Sequence, residues 1–448
     1  MSKGKRKKCV IRVIAFLSAL SFYPFPFTPC PFPPTTHAAH LDSAPVSTVT
    51  REGRLAVFDD AWARINERYY DQSFHGLDWD AQRTIFRDLA ANAASSEQLY
   101  AVLRRMIASL NDPHTRVFAP DEKFDWWRPR YVTVGFTIAE VNGSPTVTRV
   151  DRGSAPQRAG MRAGDVIETV DGEAALSLIR GRLANISEPA SGSVRFRVFA
   201  KLLDGPADSS VEITWKGKDG KPKSGRFARY WQERELSMRV FRERGAYPVV
   251  EIEAFTKPIA IAFARSLRQQ LAGARGLILD LRTNGGGDAE AMSDVASSFL
   301  GFGANLGQFT DRAGSSFTIY THAKSMLSTD TLAQTSLPII VLTSERTASA
   351  AEIFIEALRS SRRATIIGTE TCGCVLAVRT RHVLPDGGLL DVSELDYQTA
   401  EGQRLEGHGL KPDETVTIER HDLYAGRDRA LESALTELSR LRIAMRQG

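Results

Sequence analysis

The chain is poor in cysteine. Of its 448 residues four are cysteines, and two of these, Cys9 and Cys30, fall in the first 38 residues. So few exclude a small scaffold built on disulfides. Cys372 and Cys374, one residue apart, are expected to be free thiols or small packing groups, because a ring closed over one intervening residue is strained. No Cys or His run beside them supplies the other ligands of a metal site. A basic surface is missing too. The net charge is +5, but Lys3, Lys5, Arg6, Lys7, Lys8 and Arg12 stand in the first 38 residues with no acid among them, and without that segment the balance is −1. No nucleic-acid partner is expected from such a chain. Nor is there a long apolar run near the start: Val13 to Phe22 falls short of the roughly 20 residues a membrane-spanning helix needs.

That short run has another use. It follows a basic segment and precedes a proline-rich stretch with Phe25, Phe27 and Phe32, and Ala38 and Ala39 offer a cleavage point. This order reads as a secretory signal peptide over residues 1–38. The expectation is an exported protein, periplasmic or extracellular. Retention of an uncleaved N-terminal segment, with membrane association, is the rival reading.

The rest has ordinary globular composition, 42% hydrophobic and 25% charged. Its length allows about two to four domains. Apolar residues at helical spacing (Ala56, Phe58, Ala61, Trp62, Ile65, then Leu99, Leu103, Met106, Ile107, Leu110) place a helical domain at 51–125. Near Trp126 the period changes, and Val132, Val134, Phe136 and Ile138 alternate as in a strand. The polar stretch Lys216 to Gly225 reads as a hairpin or connection. From about Arg226 strands and helices alternate: strands at Val249 to Ile252, Gly276 to Leu281, Pro338 to Thr343 and Thr365 to Gly368, helices at Ile259 to Leu271 and Ala430 to Arg442. That alternation predicts an α/β core.

Two turns in this core carry chemistry. Thr347-Ala348-Ser349-Ala350-Ala351-Glu352 lies between a buried strand and a helical pattern, so Ser349 stands at a helix N-terminus, where free N–H groups favour a developing negative charge. Ser349 is either an N-cap or a nucleophile. The strand ending in Asp280-Leu281-Arg282 runs into Thr283-Asn284-Gly285-Gly286-Gly287. This is no phosphate loop, having neither the Lys-Ser/Thr of one nor a dinucleotide spacing. A glycine N–H can, however, point into a site without a side chain in the way.

The run from Gly153 to Gly172 resembles a PDZ domain, expected over 129–217. The resemblance implies capture of extended C-terminal peptides at a sheet edge, with Val134, Gly135, Phe136 and Thr137 as the carboxylate loop. Asp280 to Gly287, Thr347 to Ile353, Gly368 to Thr371 and Gly409-Leu410-Lys411-Pro412-Asp413 together resemble the tail-specific (C-terminal-processing) serine peptidases and the related tricorn-type peptidases. The resemblance implies a crotonase-like α/β peptidase core at 226–445, with an N-terminal helical region and an inserted PDZ-like β-rich domain. It implies Ser349 as nucleophile, Gly286 and Ala350 N–H groups as the oxyanion hole, protein or peptide substrates, and no metal or organic cofactor. Asp280 and Arg282 are expected to brace the glycine loop.

The tail-specific branch activates its serine with a lysine, and Cys374 stands at that position. The tricorn-type branch uses histidine and glutamate. Asp112-Pro113-His114-Thr115 matches its histidine segment, and Glu406, in Leu405-Glu406-Gly407-His408-Gly409, falls at its glutamate. The resemblance therefore implies His114 as base and Glu406 as its orienting acid; His408, close to Glu406 in sequence, is the rival base. Pro113 replaces a serine of the tricorn-type tetrad. Two alternatives remain at this level: a catalytically inactive peptide-binding protein on the same scaffold, and a role for Cys374 as a thiol.

Overall fold

The structure, a computed structural model, describes residues 45–122, 125, 128–184, 192–243, 247–269, 271, 273–322 and 337–447. The expected signal peptide at 1–38 and the change of period at Trp126 lie outside them.

Between residues 45 and 447 the site is built on a six-stranded sheet. Its order is Met238–Glu243, Tyr247–Ile252, Leu277–Asp280, Ile339–Thr343, Thr365–Gly368 and Glu414–Thr415. The first pair is antiparallel and the others are parallel. The central parallel strands Leu277–Asp280 and Ile339–Thr343 are buried on both faces, which is why they read as unbroken apolar runs. Alternate side chains still separate: Val250, Leu279 and Val341 enter one core, Val249, Ile278, Ile340 and Leu342 the other. Helices Lys257–Gln269, Ala289–Leu300 and Ala350–Ser360 cover the first face, and Ala434 and Leu438 of helix Arg429–Gln447 cover the second. The chain is α/β, as expected.

The N-terminal region forms helices Arg51–Arg68, Trp79–Ala91 and Ser96–Ala108, capped by Thr50, Asp78 and Ser95 side chains. It is not helical throughout. Strand Arg116–Phe118 pairs with Leu389–Asp391, and Leu384, Leu390 and Val392 complete the helices' core. This pairing ties residues just after His114 to the C-terminal part of the chain.

The expected alternation from Val132 to Ile138 is two strands rather than one. Arg130–Thr133 pairs with Tyr230–Glu233, whereas Phe136–Val141 pairs with Ser144–Val150. Gly135, at φ +91°, turns the chain between them. Phe136–Val141 is the edge of a second sheet that continues through Val166–Val170 and Ser210–Lys216 to Pro222–Ala228. Residues 216–222 form the hairpin connection of the last two strands.

Candidate active site

The parallel strands end on one side of the sheet, and the turns that follow them meet there. Ser349 opens helix Ala350–Ser360 with φ +58° and ψ −127°. An ordinary serine cap is extended; this conformation is one that side chains rarely adopt. Strained strand-to-helix turns of this kind expose a nucleophile.

The turn is held from three directions. Ser349 N–H donates to the Cys374 carbonyl at 2.8 Å and to Glu352 Oε2 at 3.0 Å. Ala348 N–H donates to the Asn284 carbonyl at 3.0 Å. Thr347 Oγ1 donates to the Leu281 carbonyl at 2.8 Å, and Ser344 Oγ to that of Arg282 at 2.6 Å. Arg282 is itself fixed between Asp280 at 2.6 Å and Asp428 at 2.7 Å. Those carboxylates hold its guanidinium above the ordinary value despite burial. Asp280 and Arg282 thus brace the loop.

Gly286, at φ +101°, lies against the serine: a methyl there would stand 2.6 Å from Ser349 Cβ and 3.1 Å from Ala350 N. The structure therefore brings Ser349, Ala350 and Gly286 together. One detail departs from expectation. Gly286 N–H donates to Asn284 Oδ1 at 2.8 Å, a local turn between a side chain and the backbone two residues on. Asn284 is fully buried, and its Nδ2 has no partner among the described residues.

Glu406 Oε2 accepts from Val375 N–H at 2.6 Å and Leu376 N–H at 3.0 Å. Its carboxyl thus sits beside the segment whose Cys374 carbonyl holds Ser349. Burial pushes its pKa up to about 7; Asp112 and Glu352 add to the rise, and the two N–H donors oppose it. His114 follows Asp112, whose carboxylate accepts from the N–H groups of His114 at 2.8 Å and Thr115 at 3.2 Å. Its imidazole is 16% exposed, with Nδ1 3.9 Å from Asp112 Oδ1, beyond hydrogen-bond reach. Burial pushes its pKa down to about 4, Asp112 opposing and Arg116 and Arg197 reinforcing. Nδ1 has no partner, and no hydrogen bond joins His114 to Ser349 or Glu406 among the described residues. His408 is exposed on its turn.

Val134 is buried, and Phe136 and Thr137 begin the edge strand. A methyl at Gly135 would lie 2.8 Å from Ser154 Cβ, so only glycine fits that bend. The Gly135 N–H is engaged by Thr133 Oγ1 at 3.0 Å. Helix Gly192–Ala200 reaches this strand through a paired contact of Arg195 with Glu140.

The two cysteines correct the sequence reading. They are not free thiols but form a Cys372–Cys374 disulfide. Gly373 adopts φ +66° between them, and their Cα atoms come to 5.2 Å, within the range a disulfide spans. Two further residues of the site escaped notice. Glu352, fully buried, accepts from Thr371 Oγ1, from Gly373 N–H at 2.7 Å and from Cys374 N–H at 2.9 Å as well as from Ser349. Its place three residues after a helix-opening serine was a legible signal. Arg197 projects from helix Gly192–Ala200 to the cysteine sulfurs, 3.6 Å from Cys372 Sγ and 3.5 Å from Cys374 Sγ. Nothing in the local sequence marks it. Among the described residues no group of three or more His, Cys, Asp or Glu side chains is placed to hold a metal ion.

This geometry agrees with two family matches. The model of peptidase family S41 matches residues 247–416, and that of the tricorn protease C1 domain matches 51–108. The C-terminal processing peptidase of Tetradesmus obliquus chloroplasts is 29% identical over 394 residues, covering 82% of this chain and 78% of that relative. The chain carries a peptidase family S41 domain over residues 247–416. It is a serine peptidase, and a second relative matches over a similar extent: the carboxyl-terminal-processing protease of Synechocystis is 24% identical over 385 residues, covering 82% of this chain and 81% of the relative. Among solved structures, a photosystem II D1 C-terminal processing protease superposes with TM-score 0.51 at 25% identity, over 82% of this chain and 93% of that one. Mature CPAF superposes with TM-score 0.66 at 14% identity, over 88% and 97%, a likeness of fold.

Proposed function

We propose that this S41 peptidase is an exported endopeptidase that cleaves extended C-terminal tails or unfolded chains through an acyl-enzyme on Ser349. The observation that carries the reading is the contact of Gly286 with Ser349 and Ala350 at a strained helix start. His114, neutral because it is buried, takes the Ser349 proton as the hydroxyl attacks the peptide carbonyl. Ala350 N–H and Gly286 N–H stabilise the oxyanion, the latter shared with or released from Asn284 Oδ1. Glu406 orients the imidazole and stabilises its cationic form. His114 returns the proton to the leaving amine, and water then frees the acyl group. The base closes on the serine when substrate is bound, since catalytic hydrogen bonds are commonly long without it. Residues 51–125 form the helical part; the PDZ-like part, expected at 129–217, takes in the strand Pro222–Ala228 of its sheet, and the catalytic core, expected from 226, follows that strand to 445. The PDZ-like part lays a substrate tail along Phe136–Val141, whose outer edge is unpaired among the described residues. The relatives' names, which specify carboxyl-terminal processing, support the tail as substrate.

A fluorophosphonate probe tests the nucleophile. It should label the wild-type protein, and Ser349→Ala should abolish labelling and lower turnover on the order of 10⁶-fold. His114→Ala should lower turnover on the order of 10⁴-fold or more while Cys374→Ala retains far more. Full turnover in His114→Ala would remove it as the base. A protein that binds unfolded chains but neither labels nor cleaves would make the scaffold a peptide binder.

A further inference from the structure

The disulfide stands where the site's two halves are joined. Cys372 N–H donates to the Thr347 carbonyl at 2.9 Å, and the Cys374 carbonyl accepts from Ser349 N–H at 2.8 Å. Gly373 and Cys374 N–H groups hold Glu352, while the next two, of Val375 and Leu376, hold Glu406. The Gly373 carbonyl accepts from Gly407 N–H at 2.8 Å. Five consecutive residues thus fix the nucleophile's turn on one side and the acidic residue on the other. There is no slack in the turn: a methyl on Gly373 would lie 2.5 Å from Gly409 N.

The two sulfurs are unequal. Cys372 is partly exposed, whereas Cys374 is 4% exposed, and the Arg197 guanidinium faces both sulfurs, at 3.6 and 3.5 Å. Thiol–disulfide exchange needs an accessible sulfur to attack and a leaving sulfur of low pKa. A neighbouring guanidinium lowers a thiol pKa. Both sulfurs meet the second requirement and only Cys372 the first, so exposure makes Cys372 the sulfur attacked and leaves Cys374 to depart.

We propose that Cys372 and Cys374 are a redox-active pair that exchanges with dithiol reductants, and that their disulfide state supports turnover at Ser349. The coupling rests on the Ser349 reading above; the exchange does not. A thiolate of the reductant attacks Cys372 Sγ, a mixed disulfide forms and Cys374 leaves as thiolate beside Arg197. The reductant's second thiol then closes its own disulfide and releases Cys372. The reductant is oxidised by two electrons, the cysteine pair is reduced by two, and the two thiol protons pass to the cysteine sulfurs or to solvent. Reduction opens the ring that holds residues 372–374. It also places an anionic sulfur against Arg197, whose charge otherwise acts on Glu406 and Asp112. Both changes loosen the alignment of Ser349 with its acid and base.

The test is a titration of the full chain in buffers graded from dithiol to cyclic disulfide. Iodoacetamide alkylation with peptide mass mapping counts thiols at Cys372 and Cys374, apart from Cys9 and Cys30, and peptide cleavage and fluorophosphonate labelling are read in parallel. Two thiols should appear in one transition, and turnover should fall about tenfold or more along it, the scale on which loss of one aligned contact slows catalysis. Arg197→Gln should slow the appearance of thiols about fivefold at neutral pH by raising the leaving thiol's pKa. In the Cys372→Ser/Cys374→Ser variant turnover should be independent of potential; if that variant does not fold, the wild-type titration still decides. Turnover that stays flat or rises as two thiols appear overturns the coupling. Thiols that appear only when the protein unfolds overturn the exchange. No labelling in any buffer, with the two-thiol transition intact, counts instead against the Ser349 reading and takes the coupling with it.

Discussion

At the scale of the residue, the proposed mechanism asks one carboxyl and one imidazole to divide the work by environment. Glu406 is lifted to about 7 by burial, while His114 is lowered to about 4 by the same cause acting on a cation. His114 is therefore neutral across the neutral range, and on the proposed mechanism the acidic limb of activity belongs to Glu406. Turnover should rise as pH passes upward through about 7, where Glu406 becomes the carboxylate that supports an imidazolium. Glu406→Gln should remove that limb from the pH profile of kcat/KM and lower its plateau about 100-fold or more. Stability runs the other way. A carboxyl raised in the fold above its unfolded value of 4.5 stabilises most below that value and loses the contribution as pH climbs to about 7. The apparent Tm should decline over that window, and by less in Glu406→Gln. Gly286 makes a second residue-level prediction. Alanine there meets Ser349 Cβ at 2.6 Å in a backbone region that excludes side chains, so Gly286→Ala should cost about 2 kcal/mol or more in chemical denaturation and suppress labelling of Ser349.

At the scale of the element, the helix Ala350–Ser360 is both core and platform for the proposed nucleophile. Ile353, Phe354 and Ile355 are buried, and Phe354 packs on Phe255 and Phe299 with ring centroids 5.5 and 5.7 Å apart. Its first turn adds the buried Glu352, which ties the serine turn to residues 371–374 through oxygens facing four donors. An amide cannot satisfy them all. Glu352→Gln should therefore destabilise the fold by about 3 kcal/mol in urea titration and reduce labelling of Ser349 beyond that loss. The helix itself was legible in its spacing, and the serine in its position between strand and helix. The Gly135 bend was not: alternation predicted one strand through Val132 to Ile138, and a single positive φ divided it between two sheets.

At the scale of the molecule, the central sheet separates chemistry from support. The turns at its strand ends carry Ser349, Gly286 and the disulfide, and helix Arg429–Gln447 seals one face with Ala434 and Leu438. Leu438→Ala should lower stability by about 3 kcal/mol by leaving a cavity there. Labelling of the folded fraction at Ser349 should keep its rate. Equal loss of both would mean that the seal also sets the site.

The sequence by itself determined the α/β core, because parallel strands buried on both faces and amphipathic helices each impose their own period on local residues. It also determined the candidate nucleophile and the glycine run, since each needs only a strand, a turn and a residue type. Tertiary structure decided what depends on distance through space. It joined Cys372 to Cys374 over a glycine in the left-handed region and engaged Gly286 N–H with Asn284. It also carried Arg197 across about 175 positions of chain to the sulfurs, a separation over which sequence periodicity holds no information. His114 reaches the core in the same way, through the pairing of Arg116–Phe118 with Leu389–Asp391, a contact that only burial of the shared apolar face can select.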